Sequence, residues 1–194
     1  MIAILTGQVH IGKTTVCRTV ADLVRQRGYC VHGILTPPIL NEKGERLGIE
    51  VLDVATGERR VLARVVQLRD QQRPSCNLSS SAEEYPGPHI GPYCFDPEAL
   101  QWGQDVIARA IGTGCDLLIV DEIGRLELEQ NSGFIKVLDL LGTSIVPRYL
   151  LVVRDTLLNA FHQRLPQLEF ITFTVTVDNR HTLPMEITQK LFLT

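Results

Sequence analysis

Apolar positions along this chain alternate between two periods. Short β-branched runs at 2–6, 30–36, 49–54, 60–65, 115–120, 148–153 and 168–177 read as strands. Between them, apolar residues fall on one helical face. Val16, Val20, Leu23 and Val24 predict a helix over 13–27 that stops at Gly28. Asp96-Pro97-Glu98 reads as an N-cap followed by an N1 proline, so a helix runs from there to about Ile111, before Gly112 and Gly114. Further helices are expected near 132–141, near 156–164 behind a capping Asp155, and near 184–191.

Turn residues divide the rest. Between 31 and 66, Pro37-Pro38, Asn41–Glu45 and Thr56-Gly57-Glu58 punctuate short runs, which predicts an antiparallel meander appended to the sheet. Residues 70–95 carry Arg73-Pro74, Ser79-Ser80-Ser81 and Pro86-Gly87-Pro88 and read as one long loop, a length usually reserved for function or motion. No repeat and no linker interrupts the chain, so its 194 residues predict one domain, 1–194. Alternating β and α elements predict the α/β class: a mostly parallel sheet with helices on both faces.

The candidate chemistry lies at two strand ends. Gly7-Gln8-Val9-His10-Ile11-Gly12-Lys13-Thr14-Thr15 follows the first strand and opens the first helix. It fits G-x-x-x-x-G-K-[ST]: glycines turn the backbone so that N–H groups face an anion, and the helix dipole adds to the site. Lys13 can reach β- and γ-phosphates, and the Thr14 hydroxyl can ligate magnesium. Asp121 ends the run Leu117–Val120 at the carboxyl edge of the predicted sheet, where ligands bind in open α/β folds. An acidic group there can hold Mg2+, and Glu122 beside it can orient or deprotonate an attacking water. The plainer alternatives are a turn cap for Asp121 and a solvated surface carboxylate for Glu122.

Composition narrows the class. Hydrophobic content of 44% and charged content of 21% are those of an ordinary globule. A net charge of −3 gives no polybasic footprint, which argues against nucleic acid or an anionic membrane as the main partner. Cys17, Cys30, Cys76, Cys94 and Cys115 include no C-x-x-C pair, so buried or half-buried free thiols in a reducing cytoplasm are expected. The amino terminus lacks the basic start of a signal peptide, and no apolar run reaches membrane-spanning length.

The chain resembles the cancer-related nucleoside-triphosphatase family (the THEP-type NTPases) almost end to end. The likeness rests on Thr6-Gly7 to Lys13-Thr14-Thr15, on Gly33-Ile34-Leu35-Thr36 with the glycine- and arginine-containing turn to Gly48, and on Thr56-Gly57-Glu58. It continues through Tyr93, Phe95-Asp96, Asp121-Glu122-Ile123-Gly124, Glu127 and Val153-Arg154-Asp155. The resemblance implies a RecA-like P-loop fold and magnesium-dependent hydrolysis of ATP, GTP and other nucleoside triphosphates. It gives Lys13 and Thr14 the phosphate and metal roles, Asp121 the metal role and Glu122 the water-activating role. One departure stands out: His10 occupies a loop position where many members carry glycine. A solvent-facing loop residue is expected there, with a ring over the phosphates or base as the alternative.

Arg154 and Arg125 both fall near the carboxyl edge, where a guanidinium can neutralise charge on a γ-phosphate. Arg154 is preferred because it directly follows an inner strand. Glu127 is expected to pair with Arg125 or the loop, Trp102 to belong to the core, and His32, His89, His162 and His181 to be ordinary core or surface histidines. Three classes of function compete: a nucleoside-triphosphatase, a P-loop kinase for a small acceptor, and a nucleotide-dependent adaptor whose protein partner is unknown. No N-K-x-D element follows a late strand, so all four nucleoside triphosphates are expected as substrates.

Overall fold

The computed structural model describes residues 1–66, 87–143 and 145–192. Among the described residues, ten strands form one sheet. Its parallel half is β10 (Ile171–Thr174), β1 (Ile2–Thr6), β9 (Tyr149–Val153), β8 (Leu117–Ile123) and β2 (Val31–Leu35), in that order. Pairing is parallel at every step of this half. From β2 the sheet continues antiparallel through β4 (Arg46–Asp53), β5 (Arg59–Val65), β7 (Tyr93–Phe95) and β6 (His89–Ile90), with β3 (Pro38–Leu40) beside β4. The meander is thus an extension of the same sheet.

The parallel strands are buried on both faces, and their side chains alternate between two cores. Leu118 and Val120 of β8 join one core, while Leu117 and Ile119 join the other. Helices α1 (Lys13–Gln26) and α5 (Leu183–Phe192) cover the second face, with Val16, Val20, Val24, Ile187 and Leu191. Helix α2 (Pro97–Thr113), the single turn α3 (Arg125–Leu128) and α4 (Leu158–Arg164) cover the first, with Trp102, Val106, Leu126 and Phe161. The cap predicted for α2 is present: the Asp96 carboxylate accepts from the N–H groups of Glu98 and Ala99 at 2.8 and 3.3 Å.

Several expectations change. The helix expected near 132–141 is a short 3-10 helix, Ile135–Leu140, packed by Val137 and Leu138. The strand expected over 168–177 shortens to Ile171–Thr174. Within the expected loop 70–95, residues 89–95 form the β6–β7 hairpin instead; Arg73 and the three serines lie outside the described residues. Asp155 opens a 3-10 turn, Asp155–Leu157, before α4. Among the cysteines, Cys17 and Cys94 are buried and Cys115 is half-buried as expected, whereas Cys30 is exposed and Cys76 lies outside the described residues.

Candidate active site

The carboxyl ends of β1, β8 and β9 converge on residues 7–12. Gly7 has φ 137°, and a Cβ there would lie 2.7 Å from the Val175 carbonyl, so only glycine fits the close approach to the chain after β10. Gly12 caps α1 in a left-handed conformation, and its carbonyl accepts from Val16 N at 3.0 Å. The Lys13 ammonium donates to the carbonyls of Gly7 and Gln8 at 2.8 and 2.7 Å, which arches the loop around its own side chain.

Asp121 is buried at 2% exposure. Its Oδ2 accepts from Thr36 N at 3.1 Å, and the Thr14 hydroxyl donates to the same carboxylate. Burial raises its pKa to about 6, against the opposing effect of these two donors. Burial likewise lowers the Lys13 pKa, opposed by Glu122, Asp121 and Asp155.

Glu122 owes its position to a register break. Asp121 pairs with Val152 and Ile123 with Val153, so Glu122 is an extra residue bulged out of β8. A regular strand would send residue 122 to the face of Leu118 and Val120. The bulge gives that face to Ile123 instead, and Glu122 turns into the cleft with φ 150°, an uncommon conformation for a residue with a side chain. Arg154, the first residue after β9, directs Nε and Nη2 to Glu122 Oε1.

Around these groups lies a cleft of about 250 Å³. Val9, His10, Gly12, Lys13, Thr14 and Thr15 line one side, and Thr36, Arg46, Asp121, Glu122 and Arg154 another. The structure therefore brings together most of the residues singled out from the sequence. Gln8 and Ile11 contribute differently: Gln8 through its carbonyl, Ile11 by packing against the α1 core. Arg125 is not at the cleft; it pairs with Glu129 at 3.7 Å. Glu127 pairs neither with Arg125 nor with the phosphate loop: it accepts from Gly124 N and Phe134 N at 2.8 and 2.9 Å, and burial raises its pKa to about 7. Trp102 is core, with the Arg60 guanidinium over its ring.

His10 is exposed as expected and takes up φ 67°, the left-handed region that histidine tolerates better than most side chains. Its ring, however, reaches 3.2 Å from Nη2 of Arg46. Burial, then Arg46 and Lys13, lowers its pKa; a guanidinium can only donate, so Nδ1 is the acceptor in this contact. Arg46 begins β4, and the sequence marks it only as part of the arginine-containing turn before Gly48. Nothing local marks it; only the folding back of the extension brings it to the phosphate loop.

A sheet with a parallel half, a glycine-lysine loop after β1 and a buried aspartate near the carboxyl end of β8 defines a P-loop nucleotide-binding protein. The model of the family described as NTPase matches residues 2–188, nearly the whole chain. The nucleoside-triphosphatase THEP1 of Thermofilum pendens is 30% identical over 97% of this chain and 93% of its own length. That of Methanosarcina barkeri is 31% identical over 96% and 94%. That of Methanopyrus kandleri is 36% identical over 66% of this chain, which spans 61% of that relative. Two solved structures share the fold: a human cancer-related nucleoside triphosphatase (TM-score 0.70, 23% identity, 99% of this chain and 97% of the other) and THEP1 of Aquifex aeolicus (TM-score 0.67, 18% identity, 99% of each). The chain belongs to the NTPase family of nucleoside-triphosphatase enzymes.

Proposed function

We propose that this protein hydrolyses nucleoside 5'-triphosphates to the diphosphate and inorganic phosphate with Mg2+, using Glu122 to activate water. The observation that carries this reading is the cluster of Thr14, Asp121 and Glu122: a hydroxyl and a buried carboxylate in contact, with a second carboxylate bulged toward the same cleft. Thr14 and Asp121 offer the hard oxygen donors that Mg2+ prefers, so the residues fit the ion. When bound, the ion neutralises charge on the β- and γ-phosphates. Lys13 leaves its loop carbonyls to meet the same oxygens. Glu122 accepts a proton from water as the water oxygen attacks the γ-phosphorus. The bond to the β–γ bridging oxygen breaks, and the diphosphate leaves with the electron pair. Arg154 holds Glu122 and adds positive charge beside the transferred group.

Base recognition is weak in this reading. In the turn after β10, the Asn179 amide is consumed locally, accepting from Thr176 N and donating to the Thr174 carbonyl at 2.8 and 2.9 Å. A pocket without base-specific hydrogen bonds discriminates by about 1–3 kcal/mol. ATP, GTP, CTP and UTP are therefore all substrates. Among the described residues, no helix is long and apolar enough to cross a membrane.

One observation favours a second reading, phosphoryl transfer to a small acceptor. A further cavity of about 250 Å³, lined by Tyr93, Phe95, Leu126 and Phe134, shares Glu122 and Arg154 with the cleft. Incubating the protein with ATP and Mg2+ alone separates the two. Hydrolysis yields stoichiometric ADP and phosphate, whereas the absence of free phosphate until an acceptor is added would replace the hydrolase reading with the kinase one.

A further inference from the structure

Arg46 stands out among the charged groups of the cleft. It heads β4, behind a turn tied by Asn41, whose Oδ1 accepts from Lys43 N and Glu45 N at 3.0 and 2.8 Å. Nη2 faces His10 Nδ1 at 3.2 Å, and Nη1 donates to the Tyr93 hydroxyl at 3.3 Å. Nε is buried without a hydrogen-bond partner. Among the described residues, no carboxylate lies within ion-pair distance of this guanidinium. A buried, unsatisfied N–H on a cation is unfavourable and calls for a function. The charges around it indicate which. Arg154 is neutralised by Glu122, and Asp121 is turned to Thr14 and Thr36. Among the described residues, Lys13 and Arg46 remain as two cations lining one cleft with no carboxylate within ion-pair distance.

We propose that Arg46 is a catalytic residue supplied in cis by the antiparallel extension, binding the terminal phosphate and stabilising the charge that develops on it, with His10 as its positioning residue. The proposal rests on the hydrolytic reading above and deepens it. A planar guanidinium suits phosphate oxygens through paired donors, and donors aimed at developing charge act more strongly on the transition state than on the ground state. His10, held at φ 67°, then has a physical purpose. Its neutral ring accepts one Arg46 N–H and fixes the side chain across the cleft, and the Tyr93 hydroxyl fixes it from the other side.

The test compares Arg46→Ala, Arg46→Lys, His10→Gly and His10→Asn in two assays. The first is binding of a non-hydrolysable triphosphate analogue and of the diphosphate, both with Mg2+. The second is kcat and KM for ATP, with and without added guanidinium ion. Arg46→Ala is expected to lower kcat about 10²- to 10³-fold, the scale of one lost transition-state donor. It should also reduce the preference for triphosphate over diphosphate at least tenfold, and guanidinium should restore part of kcat. His10→Gly is expected to lower kcat several-fold at unchanged KM. His10→Asn, which retains an acceptor and tolerates positive φ, should recover most of that loss. Arg46→Ala with kcat within threefold of the native chain, or with equal losses in diphosphate and triphosphate affinity, overturns the proposal. If the native chain released no phosphate, the hydrolytic reading would fall, while the triphosphate preference would still decide the role of Arg46.

Discussion

Both Nε and Nη2 of Arg154 converge on a single oxygen of Glu122, Oε1. The guanidinium after β9 thereby sets the orientation of the carboxylate bulged from β8. The two side chains act as one unit in the proposed mechanism. Glu122→Gln is expected to retain nucleotide binding and to slow hydrolysis roughly 10²-fold or more, the scale of a lost general base. Arg154→Ala should slow it less, and the double variant should be no slower than Glu122→Gln alone, because residues acting as a unit are non-additive. Steady-state kinetics on the three variants check this, and multiplicative losses contradict it.

The bulge carries a stability prediction. At φ 150° a side chain is strained, and glycine is not. Glu122→Gly should be more stable than Glu122→Ala by about 1 kcal/mol, reversing the usual order in a strand. Both variants should be nearly inactive. Urea unfolding of the pair gives the difference directly, and an alanine variant at least as stable as the glycine one would remove backbone strain from the account.

Gly33 permits the closest strand approach near the site. A Cβ there would fall 1.9 Å from the Ile119 carbonyl oxygen, and φ is 119°. Gly33→Ala therefore has to part β2 from β8, the strand that carries Asp121. It is expected to cost several kcal/mol and to weaken magnesium-dependent nucleotide binding in any protein that still folds. Thermal melting within a few degrees of the native chain would contradict the close contact.

Legibility followed the range of each signal. The phosphate loop, the Asp96-Pro97 cap and the position of Asp121 at a strand end are written in contiguous residues, so pattern and propensity suffice for them. The bulge at Glu122 left no trace because no glycine or proline marks it. The sequence ends this strand at Val120, whereas β8 runs on to Ile123, and the break in parity shows only against Val152 and Val153. The turn Arg125–Leu128 is too short to show a period, and residues 132–141 carry helical spacing that tightens into a 3-10 helix. Arg46 and His10 stand 36 positions apart, and their meeting depends on how β3 and β4 fold back, information that is tertiary in kind.

Glu127 supplies a pH dependence. Burial raises its folded pKa from 4.5 to about 7, so folding favours the protonated acid. Its stabilising contribution is full below about pH 4.5 and is lost as pH rises through about 7. The difference in melting temperature between the native chain and Glu127→Gln should shift in that direction across this window, with the native chain relatively most stable at its acid end. A difference constant between pH 4.5 and 7 would contradict the burial argument.

In the proposed mechanism Thr14, Asp121 and Glu122 make a magnesium-dependent hydrolase with little interest in the base. The most direct test is kcat/KM for phosphate release from ATP, GTP, CTP and UTP, each with Mg2+ and with the ion chelated. The account predicts release from all four within about 200-fold of one another, and loss of release on chelation. Release unaffected by chelation, or a preference for one base beyond a thousandfold, would contradict it.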